Sequence, residues 1–163
     1  MNSSHRLRPF TRLRPFTTDD QLVAREIYAD AVQSQAGVLY SADQISAWMA
    51  LAWLPGVLDR PLREGRGWVC TIDGEVEAFA LRDPLDRLAL LYCRGRSSRG
   101  GLATVLIHQV EAEARAEGLM HLVTEASLCS FPLLLRCGWT LESAQSIEIG
   151  GVAFERYSMF KDL

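Results

Sequence analysis

Leu88-Ala89-Leu90-Leu91-Tyr92-Cys93 is an unbroken apolar run that begins the stretch of sequence deciding the fold. Such a run, without alternation, predicts a β-strand buried on both faces. A loop of arginine, glycine and serine follows it, Arg94-Gly95-Arg96-Ser97-Ser98-Arg99-Gly100-Gly101. From Leu102 to Glu117 apolar residues recur at helical spacing, and Gly118 stands where helices commonly end in a left-handed residue. The stretch therefore predicts a strand, a glycine-rich turn and a helix.

The turn before this helix has the features of an anion site. The first amides of a helix have no partner within it, and the helix dipole places partial positive charge there. Gly100 and Gly101 let a ligand approach the backbone, while Arg94, Arg96 and Arg99 add positive charge. This combination suits a phosphate or pyrophosphate. A solvated turn before an ordinary helix would explain the same residues.

Length and composition indicate one soluble domain. A chain of 163 residues, 48% hydrophobic and 23% charged, is long enough to bury a sizeable core. A net charge of -3 argues against a nucleic-acid partner. No apolar run reaches membrane-spanning length and no signal peptide is recognisable. The four cysteines lack zinc-ligand spacing, so we expect no metal site and a reducing, cytoplasmic location.

A six-residue repeat lies at the N-terminus. Arg6–Thr11 is followed at once by the identical Arg12–Thr17, and only the second copy leads directly into a helix start. We therefore expect residues 1–11 to be an extension, and residues 12–163 to form a single domain whose first strand lies in the second copy. A functional basic arm is the alternative for the first copy.

The rest of the chain alternates helical and strand patterns. A helix capped by Thr18 or Asp19 is predicted to reach about Gln35, and Ser41 with Gln44 predicts a capping box for a second helix. Asp73-Gly74 predicts a hairpin turn. The other predicted elements are a short helix at Val57–Arg63, strands at Trp68–Ile72, Val76–Leu81 and Met120–Thr124, a short helix at Ser130–Arg136, and a closing hairpin of Leu141–Ile149 and Val152–Phe160.

This element order, with a phosphate-binding turn after the fourth strand, resembles the GNAT superfamily of acetyl-CoA-dependent N-acetyltransferases over residues 12–163. Their pyrophosphate motif, Gln/Arg-x-x-Gly-x-Gly/Ala, falls on Ser98–Ala103, with Ser98 in place of the leading Gln or Arg. Ala112–Gly118 and Thr124–Ser127 are similar to a bacterial branch of small GNAT proteins. The resemblance implies an α/β (α+β) fold whose mixed, centrally splayed sheet of about seven strands has helices on both faces.

A second family pattern, Asn-x-x-Ala-x-x-Phe-Tyr-x-x-x-Gly-Phe, matches the spacing of residues after the fifth predicted strand. It falls on Ser127, Ser130, Leu133, Leu134, Gly138 and Trp139. The family tyrosine, which often protonates the leaving thiolate, is Leu134 here. Because leucine carries no acidic proton, the usual general acid is missing from its place.

The resemblance implies acetyl-CoA as co-substrate and an amine of a small molecule or peptide as acceptor. The cofactor-binding residues that it implies are Leu91, Tyr92, Cys93, Ser98, Arg99, Gly100, Gly101, Leu102, Ala103, Thr104, Ser127 and Ser130. The alternative is a GNAT-fold protein that binds CoA or a protein partner without acyl transfer. A nucleotide-binding module is a weaker alternative, since no Walker lysine follows the glycines. A homodimer is one possible assembly.

Direct transfer needs a base for the amine and an acid for the thiolate. Glu125, after the fifth strand, is the first candidate base and Glu77 the second, although either could be a solvated carboxylate. Tyr92 is the candidate acid, with packing of its ring as the alternative.

Overall fold

The computed structural model describes residues 7–163, whose strands form one mixed sheet. In chain order the strands are β1 (Thr11–Pro15), β2 (Arg66–Ile72), β3 (Glu75–Arg82), β4 (Arg87–Cys93), β5 (His121–Ala126), β6 (Thr140–Ile149) and β7 (Val152–Asp162). The helices are α1 (Gln21–Gln35), α2 (Ala42–Ala50), α3 (Asp59–Glu64), α4 (Leu102–Ala116) and α5 (Phe131–Arg136). The seven strands lie in the order β1-β2-β3-β4-β5-β7-β6, which confirms the predicted fold class.

The N-terminal strand lies where the repeat predicted it. Strand β1 occupies most of the second copy and pairs antiparallel with β2, with Leu13 opposite Cys70. Residues 1–6 are outside the described residues, and Thr11, from the first copy, already belongs to β1. The division of the chain at residue 11 stays a prediction.

The caps of the first two helices follow from polar side chains. At the first helix the cap differs from the prediction, because Thr17, before Thr18 and Asp19, is the N-cap of a short 3-10 turn that leads into α1. Its amide donates to Asp20 Oδ2 at 2.9 Å. At the second helix the predicted capping box is confirmed, since Gln44 N–H donates to Ser41 Oγ at 3.1 Å and Ser41 N–H donates to Gln44 Oε1 at 2.9 Å.

The middle of the sheet opens between β4 and β5. These strands are parallel and pair only at Arg87 with Val123 and at Leu88 with Thr124. Thr124 Oγ1 donates to the Leu88 carbonyl at 2.7 Å, where the ladder ends. Beyond it the strands separate, so backbone groups of β4 face a gap in the sheet.

The two faces of the sheet carry separate hydrophobic cores. On one face α4 and α5 bury residues such as Leu106, Ile107 and Leu134 against the sheet. On the other face α1, α2 and α3 pack over β2, β3 and β4, with Ile27 and Phe79 fully buried. None of the helices within residues 7–163 has the length and apolar composition that crossing a bilayer requires.

Candidate functional site

A cleft of about 460 Å³ opens at the gap between β4 and β5. Its walls come from α1, α2, α3, β4, β5, α5 and the hairpin of β6 and β7. Of the predicted site residues, it brings together Leu91, Tyr92, Cys93, Ala103, Glu125, Ser127 and Ser130. The turn residues Ser98 to Leu102, and Thr104, are not among its lining residues.

Backbone groups of β4 point into this gap. Arg94 N–H donates to the Glu77 carbonyl on β3 at 2.8 Å, so the backbone of Arg94 faces β3. Because backbone direction alternates along a strand, the N–H and C=O groups of Cys93 and Leu91 face the gap. The Cys93 carbonyl accepts a hydrogen bond from Gln35 Nε2 at 2.5 Å. An extended ligand can therefore pair with Leu91 as an added strand would.

The glycine-rich turn presents free amides at the start of α4. Gly101 is the N-cap in a left-handed conformation with φ 85°, and Arg99 also has a positive φ of 61°. A Cβ on Gly100 would meet the Ser97 carbonyl at 3.2 Å. Within the described chain, the amides from residue 99 to residue 104 donate to no protein acceptor. This geometry suits an anionic ligand.

Strand β3 holds two of the three turn arginines, Arg96 through Glu77 and Arg94 through the Val76 carbonyl. Glu77 lies at a β-bulge of β3, and Arg96 donates to it through Nη2 at 2.5 Å and Nε at 3.0 Å. Ser97 Oγ adds a bond of 2.9 Å, while Arg94 Nε donates to the Val76 carbonyl at 3.0 Å.

Burial raises the pKa of Glu77, but the hydrogen bonds from Arg96 and Ser97 outweigh it, so the pKa lies below its ordinary value. A carboxylate in this state is a weak base, which disfavours Glu77 for that role. Arg99 is exposed and makes no side-chain hydrogen bond or ion pair with any described residue.

Glu125 is half-buried in the cleft as part of an ion pair. Arg87 Nε donates to its Oε2 at 2.8 Å. Residue 125 is two positions beyond Val123, which pairs with Arg87, so both side chains share the α1 face of the sheet. On the neighbouring strand β7 it lies opposite Ser158. Its second oxygen accepts no hydrogen bond from the described residues, and it can receive a proton directly or through water.

Tyr92 packs under α1 in an aromatic pair. Its ring lies 4.4 Å from that of Tyr28 and 6.0 Å from that of Phe79, measured between centroids. Burial raises the pKa of Tyr92 well above its ordinary value. Burial therefore makes this phenol a weaker acid than an ordinary tyrosine, and its ring also contributes to packing.

Tyr40 lines the cleft but is not among the site residues predicted from the sequence. Its hydroxyl oxygen accepts the Leu128 N–H at 2.8 Å, at the turn between β5 and α5. The Tyr40 hydroxyl proton is not used by this bond and remains available for donation. Burial raises the pKa of Tyr40, and the Leu128 amide opposes that shift only in part. No local pattern links two residues so far apart in sequence.

Three residues of the second family pattern, Ser127, Ser130 and Leu134, make contacts that stabilise the fold. Ser127 and Ser130 bond each other, with Ser130 N–H donating to Ser127 Oγ and Ser127 N–H donating to Ser130 Oγ, both at 3.1 Å. Leu134 is 1% exposed and packs in the α4 core. Its apolar side chain carries no proton donor. Across residues 7–163 no group of three or more His, Cys, Asp or Glu side chains forms a metal centre.

The fold is similar to those of solved N-acetyltransferases. A GCN5-related N-acetyltransferase from Rhodopseudomonas palustris has a TM-score of 0.90 at 23% identity, covering 98% of this chain and 100% of that one. The PaiA N-acetyltransferase from Thermoplasma acidophilum, in complex with coenzyme A, has 0.72 at 14% identity, covering 94% and 99%. YncA from Salmonella typhimurium, with acetyl-CoA, has 0.65 at 18% identity, covering 94% of each chain.

Comparisons with protein-family models and with curated proteins found no match. The structural agreement nevertheless extends over almost the whole of each chain. At these identities it establishes the fold, and the chain has the GNAT fold of the GCN5-related N-acetyltransferases.

Proposed function

We propose that the protein transfers the acetyl group of acetyl-CoA to a primary amine of a small molecule or peptide. The observation that carries this proposal is the gap between β4 and β5, with inward-facing backbone on β4 and the free amides of the glycine turn beyond its end. Structures of the same fold contain coenzyme A and acetyl-CoA, which supports this assignment.

The cofactor would be bound mainly by backbone groups. The pantetheine arm extends along Leu91 and Cys93 and replaces the missing part of the ladder between β4 and β5. The pyrophosphate lies on the amides that begin α4, including Ala103 and Thr104, and Arg99 adds charge from the exposed side of the turn. Ser127 and Ser130 lie across the gap, at the end of β5.

The chemistry is a direct attack on the thioester. The neutral amine nitrogen forms a bond to the carbonyl carbon, and the oxyanion that develops accepts a backbone N–H near Cys93. The C–S bond then breaks, and the thiolate leaves with a proton from an acid. The proton lost by the nitrogen goes to Glu125, directly or through water.

Tyr40 is a stronger candidate than Tyr92 for the acid that replaces Leu134. Its hydroxyl reaches the turn immediately before α5, which is the helix that carries Leu134. The Leu128 amide fixes the oxygen and leaves the hydroxyl proton free. Tyr92 also lines the cleft, but its ring packs against Tyr28 under α1.

The second candidate function is CoA binding without acyl transfer. Two substitutions favour it: Leu134 removes the usual acid, and Ser98 replaces the usual Gln or Arg at the turn. A cytoplasmic location and a homodimer stay predictions under either function.

Calorimetry with CoA and acetyl-CoA tests both candidates, followed by an amine screen that measures release of free thiol. We expect binding of both cofactors and steady turnover with at least one amine. Binding without turnover would favour the second candidate, and no binding at millimolar cofactor would contradict both.

A further inference from the structure

We infer that the acceptor is a monoamine carried on an aromatic or aliphatic body, and that the cleft discriminates against polycations. This inference rests on the proposed function, because it concerns the acceptor half of the same cleft. That half is formed by α1, α2 and β7 on the face opposite α4.

Aromatic rings line this half from several elements. Tyr28 and Tyr92 lie 4.4 Å apart between ring centroids, and Tyr40 lies 5.1 Å from Trp48 with its ring edge-on. Phe154 of β7 completes the set at 6.4 Å from Trp48. Tyr28, Tyr40 and Phe154 are buried, so Trp48 and Tyr92, which are partly exposed, offer the ring surface that a flat ligand ring can contact.

Aliphatic side chains extend the aromatic surface toward the mouth of the cleft. Leu51, Val57, Ile147 and Ile149 belong to its lining, and Val57 remains 40% exposed. A hydrocarbon body placed there removes apolar surface from water, which favours binding. The volume of about 460 Å³ also has to admit the acetyl end of the cofactor, so the acceptor body must be small.

The charges of the lining argue against a second ammonium group. Glu125 is already paired with Arg87 at 2.8 Å, and Glu155 is the other carboxylate among the described lining residues. Arg156 lines the same half and donates only its Nε, to Gln145 at 3.0 Å. Its remaining guanidinium nitrogens repel cations.

A polyamine or aminoglycoside needs several unpaired carboxylates for charge complementarity. One ammonium can instead lie over an aromatic face before it loses its proton to the base. The lining therefore matches a single amine on an apolar body.

The test compares 2-phenylethylamine with spermidine. With purified protein and saturating acetyl-CoA, we expect kcat/KM to be at least about tenfold higher for 2-phenylethylamine, the order of effect that apolar pockets give. Calorimetric affinity for each amine, with CoA present and with the protein alone, gives the same comparison without requiring turnover. Equal or better use and binding of spermidine would overturn the inference.

Three variants show which surface gives the preference for 2-phenylethylamine. They are Trp48→Phe, Trp48→Ala and the matched control Trp53→Ala. Trp53 is 54% exposed and is not a lining residue. We expect KM for 2-phenylethylamine to rise about tenfold in Trp48→Ala and to recover in Trp48→Phe, with no change in the control. Unchanged KM in folded Trp48→Ala would contradict the assignment of this surface.

Arg156→Glu adds a carboxylate to the same half and should improve binding of spermidine severalfold while leaving that of 2-phenylethylamine nearly unchanged. No gain for spermidine would contradict the role given to charge. Failure of the proposed function has a different signature, since no amine would then release free thiol from acetyl-CoA, whereas the order of the calorimetric affinities for the two amines tests the inference alone.

Discussion

The two halves of the cleft are built in different ways. The half at the end of β4 presents main-chain groups, namely the inward-facing backbone of Leu91 and Cys93, and the free amides that follow Arg99 lie in the turn beyond it. The half beneath α1 and α2 presents side chains, with Tyr40 and Trp48 prominent among them. Main-chain sites tolerate changes such as Ser98 because the backbone does not depend on residue type. Side-chain sites change with every substitution, so we expect them to set the acceptor and the acid.

The largest expected effect is on kcat, and it comes from removing the proposed acid in the side-chain half. Tyr40→Phe removes the hydroxyl and keeps the ring, so kcat should fall about 10²-fold because general acid catalysis is lost. Steady-state thiol release measures this, and Tyr92→Phe is the comparison. A loss confined to Tyr92→Phe would move the role of the acid to that residue.

The next largest effect is on CoA affinity, and it comes from replacing Gly101, which has a left-handed backbone conformation. Gly101→Ala should weaken CoA binding about five- to thirtyfold, because a Cβ at φ 85° destabilises the N-cap conformation by about 1–2 kcal/mol. Gly118→Ala is the matched control, since Gly118 has the same φ of 85° at the other end of α4. Both variants should lose similar stability in thermal unfolding, and only the first should lose CoA affinity. Equal CoA affinity in the two would exclude this turn as the phosphate site.

A third prediction uses pH to test how Glu77 holds the turn. Its folded pKa lies below the ordinary value of 4.5, so it contributes stability above that value and the contribution is lost as pH falls through the folded pKa. Glu77→Gln should therefore be less stable than the parent at pH 7 by about 1–2 kcal/mol. The difference should shrink below pH 4.5. Denaturant unfolding at both pH values measures it, and a difference independent of pH would contradict the assignment.

The smallest expected effect is on CoA affinity, and it comes from removing the exposed charge of Arg99. Arg99→Ala should weaken CoA about two- to fivefold, because an exposed charge contributes little and salt screens it. A pantetheine fragment without the nucleotide should bind both proteins equally. Arg115→Ala, also exposed but in the last turn of α4, is the control. Equal losses for CoA and for the fragment would mean that Arg99 does not act on phosphate.

The sequence predicted the main-chain half better than the side-chain half. The strand, turn and helix from Leu88 to Gly118 are found with nearly the predicted bounds, and the cap at Ser41 is confirmed. Three arginines were predicted to supply positive charge at the turn, but Arg94 and Arg96 form hydrogen bonds to β3. Whether Arg99 and the free amides bind phosphate stays a prediction.

The sequence by itself determined the features that depend on neighbours along the chain. Hydrophobic period, glycine with a positive φ and capping side chains act over a few residues, so their patterns are legible without the fold. Only the tertiary structure decided which distant groups meet. Tyr40 reaches Leu128, Gln35 reaches Cys93, and Arg87 meets Glu125 across the short parallel pairing of β4 and β5. Such contacts depend on how the elements pack against each other, and packing leaves no local pattern in the sequence.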